Sequence, residues 1–316
     1  MASTTPEASQ PEAHSLFKES WPVGPSNTKL YTRVYTPPSS TPTRAVIVFI
    51  HGFAEHVARY THFHARLPEH GIAVFTFDQR GFGRSGLDTE NRSPGSAYGK
   101  SSWKDQAGDI QWAIDEAKKE FPDVPIFLMG HSMGGGEVLG FATQHAEAAS
   151  TNLAGIIATS PLIHQTKPAP KLLRWVGGKA SILAPYTLVP ATVVPSELAH
   201  DPAVGEAYLK DPLVKQSGSL RGIADMLNLG EALYTTSYKQ WPESLPVLII
   251  HGTADQVTSC EASKAFHDKI PAKHKSHKEY ADGYHELQNE SQEVQNQLKA
   301  DIVEFVNTYS QPKSKL

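Results

Sequence analysis

Residues 124–141 read VPIFLMGHSMGGGEVLGF, and their character changes in the middle. An apolar run rich in strand-formers stops at Gly130, glycines follow, and a helix-compatible segment begins. Ser132 sits at the change. Gly130-His131-Ser132-Met133-Gly134 is G-x-S-x-G in the order strand, tight turn, helix, the context in which this motif presents a nucleophile. A serine held in such a corner is conformationally strained, so only very small residues fit two places on either side. Gly130 and Gly134 meet that demand. The turn lifts the hydroxyl clear of the sheet, and the backbone N–H groups of the new helix face any anion formed there.

A serine hydroxyl is a poor nucleophile at neutral pH and needs a base, which in turn needs an orienting acid. In a chain of this layout the order is serine, then acid, then histidine. The stretch VLIIHGTADQV ends a buried strand in Asp255, and YADGYHEL offers His285 thirty residues later. Both lie past strand C-termini, on the same sheet edge as Ser132. Asp282 stands too close to His285 to be the strand-end acid and reads as a turn former. His267, His274 and His277 lie in a polar, Lys-rich region and read as solvated, and His274 with His277 lacks a third metal ligand. His131 reads as a local packing residue. Two backbone N–H groups are expected to hold the oxyanion: that of Met133, after the nucleophile, and that of Phe53, in the loop FIHGFAEH.

Working outward, residues 44–52 and 71–78 are continuous apolar runs, as expected of strands buried on both faces. Residues 29–37 alternate like an exposed antiparallel strand. Further strands are expected at 153–161, 247–255 and 278–281. Helices are expected at 59–70, 102–120, 133–145, 261–270 and 293–309. Strand alternating with helix predicts an α/β fold, with a mostly parallel central sheet covered by helices on both faces. Residues 1–27 are polar and Pro-bearing and read as a loose tail. From 162 to 240 the strand rhythm breaks. That stretch reads as a helical cap inserted above the sheet edge where ligands bind, between core segments 28–161 and 241–312.

The composition excludes several classes. A net charge of −4, with no basic run, gives no case for nucleic acid. The lone Cys260 cannot form an internal disulfide, so nothing demands an oxidising compartment. It reads as a small buried apolar residue, although a helix start is also a place where a thiol pKa falls. The N-terminus lacks a signal-peptide pattern, and no run approaches the roughly 18 apolar residues of a membrane span.

HGFAEHVARY, DQRGFGRSG, GHSMGGG, HGTAD and DGYHEL occur in the order and spacing of the α/β-hydrolase superfamily. More narrowly, the chain resembles the monoacylglycerol lipases, the fungal ones in particular, over most of residues 30–310. The resemblance implies a cytosol-facing serine hydrolase that splits monoacylglycerols into glycerol and fatty acid, with no metal and no organic cofactor. It implies Ser132, Asp255 and His285 as the triad, in agreement with the residue-level reading. It also implies that Arg59 and Tyr208 line the glycerol end of the pocket. Phe53 is larger than the residue common at its position, and its ring would narrow the acyl entrance. The family's cap docks on membranes or lipid droplets, and residues 172–194, with Leu, Trp, Ile, Tyr and Val beside only Arg174 and Lys179, are compatible with that. A lysophospholipase, small-ester esterase or acyltransferase would use the same triad. A non-catalytic binding protein of this fold would lack a triad member. The motifs say nothing of oligomeric state.

Overall fold

The computed structural model describes residues 16–168 and 170–310, with the side chains of residues 171–173 outside the description. Eight strands form the central sheet: β1 (Lys18–Ser20), β2 (Thr32–Tyr35), β3 (Ala45–Ile50), β4 (Ile72–Phe77), β5 (Ile126–His131), β6 (Gly155–Thr159), β7 (Val247–Gly252) and β8 (Lys275–Tyr280). Their order across the sheet is β1-β2-β4-β3-β5-β6-β7-β8. Strands β3 to β8 run parallel, and β2 lies antiparallel to both β1 and β4. Helices of nine or more residues are α1 (Trp103–Glu120), α2 (Met133–Gln144), α3 (Lys171–Leu183), α4 (Pro202–Lys210), α5 (Leu220–Thr235), α6 (Cys260–Lys269) and α7 (Gln292–Tyr309). The chain thus adopts the expected α/β-hydrolase architecture.

Side-chain alternation along each buried strand divides the core in two. On β3, Val46, Val48 and Ile50 face one side, in one buried cluster with Ile110 and Ile114 of α1 and Val138 and Leu139 of α2. Ala45, Ile47 and Phe49 face the other, against Leu298, Ile302 and Val306 of α7. With both faces covered, the central strands are apolar over most of their length, and their polar residues Thr76, His131, Thr159 and His251 fall at or next to the C-terminal ends.

The chain goes from β3 to β4 on one side, then crosses to β5 on the other side of β3. A crevice therefore opens between the C-terminal ends of β3 and β5, the switch point at which parallel sheets bind ligands. Ser132 directly follows β5, and His51-Gly52-Phe53 directly follows β3.

Three expectations need correction. Residues 16–27 of the proposed tail are structured, and residues 1–15 lie outside the described residues. β1 pairs with β2 and so buries the strand expected to be exposed. Arg33 on β2 is covered by Glu19 at 3.3 Å and by the Phe17 ring. The helix expected over 59–70 is broken into Val57–Tyr60, Thr61–His64 and Pro68–His70; Pro68 supplies no backbone donor to continue the run, although Leu67 before it keeps helical φ/ψ of −85° and −35°.

Residues 162–240 hold α3, α4, α5 and a small antiparallel pair of strands, Leu188–Pro190 and Ser217–Ser219. Leu229 and Leu233 of α5 belong to the same buried cluster as the α2 residues Val138 and Phe141. α3 rests on α5.

Candidate active site

Ser132 has φ 56° and ψ −118°, a positive φ that a side-chain-bearing residue rarely adopts. Its surroundings hold it there. Its N–H donates to Thr159 O at 3.0 Å, and its carbonyl accepts from Gly136 N at 3.0 Å and Leu162 N at 2.8 Å. A Cβ on Gly130 would run into the Gly134 carbonyl, and one on Gly134 into the Ile50 carbonyl. The glycine spacing therefore records a close approach of backbone to backbone. Gly134→Ala is expected to destabilise the fold by about 3 kcal/mol, the upper range for overpacking, as read from urea melts. Wild-type stability in that variant would show that the corner has room to spare.

Helices α1, α5, α6 and α7 each carry an N-cap serine whose side chain accepts a backbone N–H. Ser132 occupies the same position at α2 but makes no such bond. Its Oγ instead lies 3.0 Å from His285 Nε2, and His285 Nδ1 lies 2.8 Å from Asp255 Oδ2. The three side chains chosen from the sequence meet in one buried line. Because the carboxylate can only accept, Nδ1 carries the imidazole proton and Nε2 is free to accept from the serine.

Asp255 sits in the turn after β7. Its Oδ1 accepts from Val257 N at 2.7 Å and Thr258 N at 2.9 Å. Its Oδ2 also meets Thr258 Oγ1 at 2.9 Å and His251 Nε2 at 3.1 Å. His251 Nε2 faces a second acceptor, Thr258 O, so it carries a proton and donates. Burial pushes the Asp255 carboxyl up, but His285 and the His251 hydrogen bond outweigh it and hold the acid well below the usual carboxylate range. Burial opposes a charged His285, yet the adjacent Asp255 carboxylate lifts the imidazole above its ordinary 6.5. His131 packs its ring 4.8 Å from that of His285, and burial drives it down to about 3, so it stays neutral.

The loop after β3 is held as firmly. The Gln79 backbone N–H donates to His51 Nε2 at 2.8 Å, so His51 Nδ1 is the protonated nitrogen and donates to Gly52 O at 2.7 Å. Gly52 N donates to Glu55 Oε1 at 2.5 Å. Among the described residues, neither the Phe53 nor the Met133 N–H has an acceptor, and the latter opens the uncapped α2. Phe53 packs edge-on against Phe82 and, with Ser132, lines a cavity of about 390 Å³. Leu162, Val189, Val193, Ile223 and Leu227 supply much of its wall, and Arg174 is its charged residue.

Arg59 and Tyr208 do come together, with the guanidinium 5.0 Å from the ring centroid, but neither lines this cavity. Arg59 is engaged by Glu55 at 2.5 Å and by both oxygens of Glu286 at 2.7 and 2.9 Å, and Tyr208 is buried against it. His277, expected to be solvated, has a buried ring bonded to Ser263 Oγ at 3.0 Å. Cys260 is half-buried, and burial together with Glu279 pushes its thiol up to about 11, against the helix-start effect. Asp282 adopts φ 60° in the turn before His285, in keeping with its reading as a turn former.

Sequence reasoning missed His251, Glu55 and Glu286. Each lies within or beside a quoted motif, but the first reads as strand and the carboxylates as ordinary surface charges until the fold buries them. No group of three or more potential metal-ligating side chains is found among the described residues.

A family model described as serine aminopeptidase, S33 (Hydrolase_4) matches residues 41–292. A Schizosaccharomyces pombe protein named "Putative monoglyceride lipase" is 35% identical over 288 residues, covering 90% of this chain and 72% of that one. The monoacylglycerol lipase of Mycolicibacterium smegmatis is 27% identical over 273 residues, covering 86% and 91%. In three dimensions, a soluble variant of Saccharomyces cerevisiae monoglyceride lipase in complex with a substrate analog matches with a TM-score of 0.82. That match covers 98% of this chain and 100% of that one at 23% identity. The chain is therefore an α/β-hydrolase of the Hydrolase_4 family, a hydrolase related to the monoglyceride lipases.

Proposed function

We propose that this protein is a serine ester hydrolase that cleaves monoacylglycerols to glycerol and fatty acid. The observation that carries the reading is the Ser132–His285–Asp255 line opening on a largely apolar cavity of about 390 Å³, within the usual range for small-molecule sites. The names of the relatives supply the substrate class.

The chemistry follows from the atoms. Ser132 Oγ attacks the ester carbonyl while His285 Nε2 takes its proton. The carbonyl oxygen becomes an anion held by the Phe53 and Met133 N–H groups, each worth about 3 kcal/mol of barrier. The C–O bond to glycerol breaks as His285 returns the proton to the leaving alkoxide. Water, deprotonated by the same imidazole, then attacks the acyl-serine. The acyl C–Oγ bond breaks as His285 returns that proton to Ser132 Oγ, and the fatty acid departs. Asp255 stabilises the imidazolium in both halves. No step calls for a metal or organic cofactor.

Residues 162–240 act in this reading as the cap. The pattern of α3 is inverted for a soluble helix. Arg174, Gly177 and Gly178 face the cavity, while Trp175, Val176, Ile182 and Leu183 are exposed. Such an apolar outer face suits a lipid surface, which supports the reading of an enzyme that works at membranes or lipid droplets on the cytoplasmic side. No helix among the described residues is long and apolar enough to cross a membrane.

One observation favours a lysophospholipase as the second reading. Arg174 makes no ion pair among the described residues and would meet a phosphate. A panel of 2-oleoylglycerol and oleoyl lysophosphatidylcholine separates the two. The lipase reading expects kcat/KM to favour the glyceride by about tenfold or more, the scale of pocket discrimination. The opposite preference rejects it.

A further inference from the structure

The loop carrying Phe53 and the loop carrying His285 are joined by one buried side chain. Arg59 sends Nη1 to Glu55 Oε2 at 2.5 Å and to Glu286 Oε1 at 2.7 Å, and Nη2 to Glu286 Oε2 at 2.9 Å. Glu55 turns its other oxygen to Gly52 N and to the Tyr60 hydroxyl, fixing the residue before Phe53. Glu286 follows His285 directly, and its N–H donates to Leu198 O at 2.7 Å. Two carboxylates share one guanidinium, so the buried cluster carries a surplus negative charge beside the base.

We infer that Arg59 is a positioning residue: it ties the oxyanion loop to the histidine loop, and the surplus carboxylate of its cluster supports the His285 imidazolium. The inference rests on the triad reading. It also accounts for the absence of Arg59 from the cavity wall. Its donors are committed to carboxylates, and a buried guanidinium so paired has little to offer a glycerol hydroxyl.

The groups facing His285 can be enumerated. Asp255 and Thr258 approach from the turn after β7, at 2.8 and 3.3 Å from Nδ1. The neutral His131 ring comes from the end of β5. Glu286 lies on its own loop, and Glu55 and Arg59 on the loop after β3. Asp255 dominates, while Glu286 and Glu55 push the imidazole the same way. His285 must be neutral to accept the serine proton, so kcat/KM rises with pH through its pKa. Removing a neighbouring negative charge weakens the imidazolium and moves that acid limb to lower pH.

The test begins with 4-nitrophenyl butyrate, an ester without glycerol, counting only turnover that Ser132→Ala abolishes. Turnover that survives Ser132→Ala would refute the triad reading itself, a result separate from those that follow. Arg59→Lys keeps the charge but loses the fork geometry. It is expected to lower kcat about tenfold or more on both 4-nitrophenyl butyrate and 2-oleoylglycerol, with KM nearly unchanged, the signature of lost transition-state positioning. Glu286→Gln, nearly isosteric, is expected to shift the acid limb down by about half a pH unit or more. A loss confined to 2-oleoylglycerol and expressed in KM would return Arg59 to substrate binding and overturn the inference. So would an unmoved acid limb in Glu286→Gln that melts like wild type. Should Glu286→Gln fail to fold, Glu55→Gln makes the same change of charge, and the same downward shift is required of it.

Discussion

Ser132→Ala is expected to reduce kcat on the order of 10⁶-fold, the loss seen when a triad nucleophile is removed, and to abolish labelling by a fluorophosphonate probe. The size of the effect follows from how little else the hydroxyl does. It caps no helix, and the bond it loses is the one to His285 at 3.0 Å. Alanine has the same backbone restrictions as serine, so the φ of 56° costs the variant about what it costs the wild type. The backbone bonds from Ser132 to Thr159, Gly136 and Leu162 are untouched. The variant should therefore melt with the wild type while losing its chemistry. Labelling or esterase activity retained in Ser132→Ala would show that another residue is the nucleophile.

Asp255→Asn is expected to reduce kcat on the order of 10⁴-fold with little change in KM. The hydrogen-bond pattern dictates the reason. Oδ1 accepts from the Val257 and Thr258 amides, so the asparagine oxygen must occupy that position. The amide nitrogen then takes the place of Oδ2, facing His285 Nδ1 and the donor His251 Nε2. Two donors confront each other on the His251 side. On the other, the amide N–H forces His285 to carry its proton on Nε2, turned toward Ser132, where it cannot act as base. A kcat within tenfold of wild type would remove Asp255 from the role of orienting acid.

Both predictions concern residues that could be chosen before any coordinates, because strand-end placement and chain order are local signals. Ser132 was legible from a glycine pair and a change of periodicity, and Asp255 and His285 from apolar runs ending in a polar residue. The sheet was legible for a related reason, since strands such as β3 and β7 are buried on both faces and cannot conceal their composition. What stayed hidden were pairings across distant segments. Arg59 sits 227 positions from Glu286, and nothing in either neighbourhood announces the other. For that reason the resemblance assigned Arg59 to the substrate, whereas burial gave it to two carboxylates. β1 was hidden differently. Three residues are too few for a period, and only the register with β2 makes them a strand. Pro68 was visible in the sequence, and giving it full weight would have ended the helix expected at 59–70 before that residue, though not revealed its break at Tyr60.

The anchoring of α5 divides the insertion into two parts with different obligations. Leu229 and Leu233 are foundation stones of the main core, whereas α3 and the Leu188–Pro190 strand contribute cavity wall without joining that core. Change is therefore costly at Leu198 and Tyr208, which touch Glu286 and Arg59, but cheap where α3 and the Leu188–Pro190 strand meet the cavity. A lineage of such enzymes can reshape what it admits there, residue by residue, while the machinery beneath keeps both its stability and its aim.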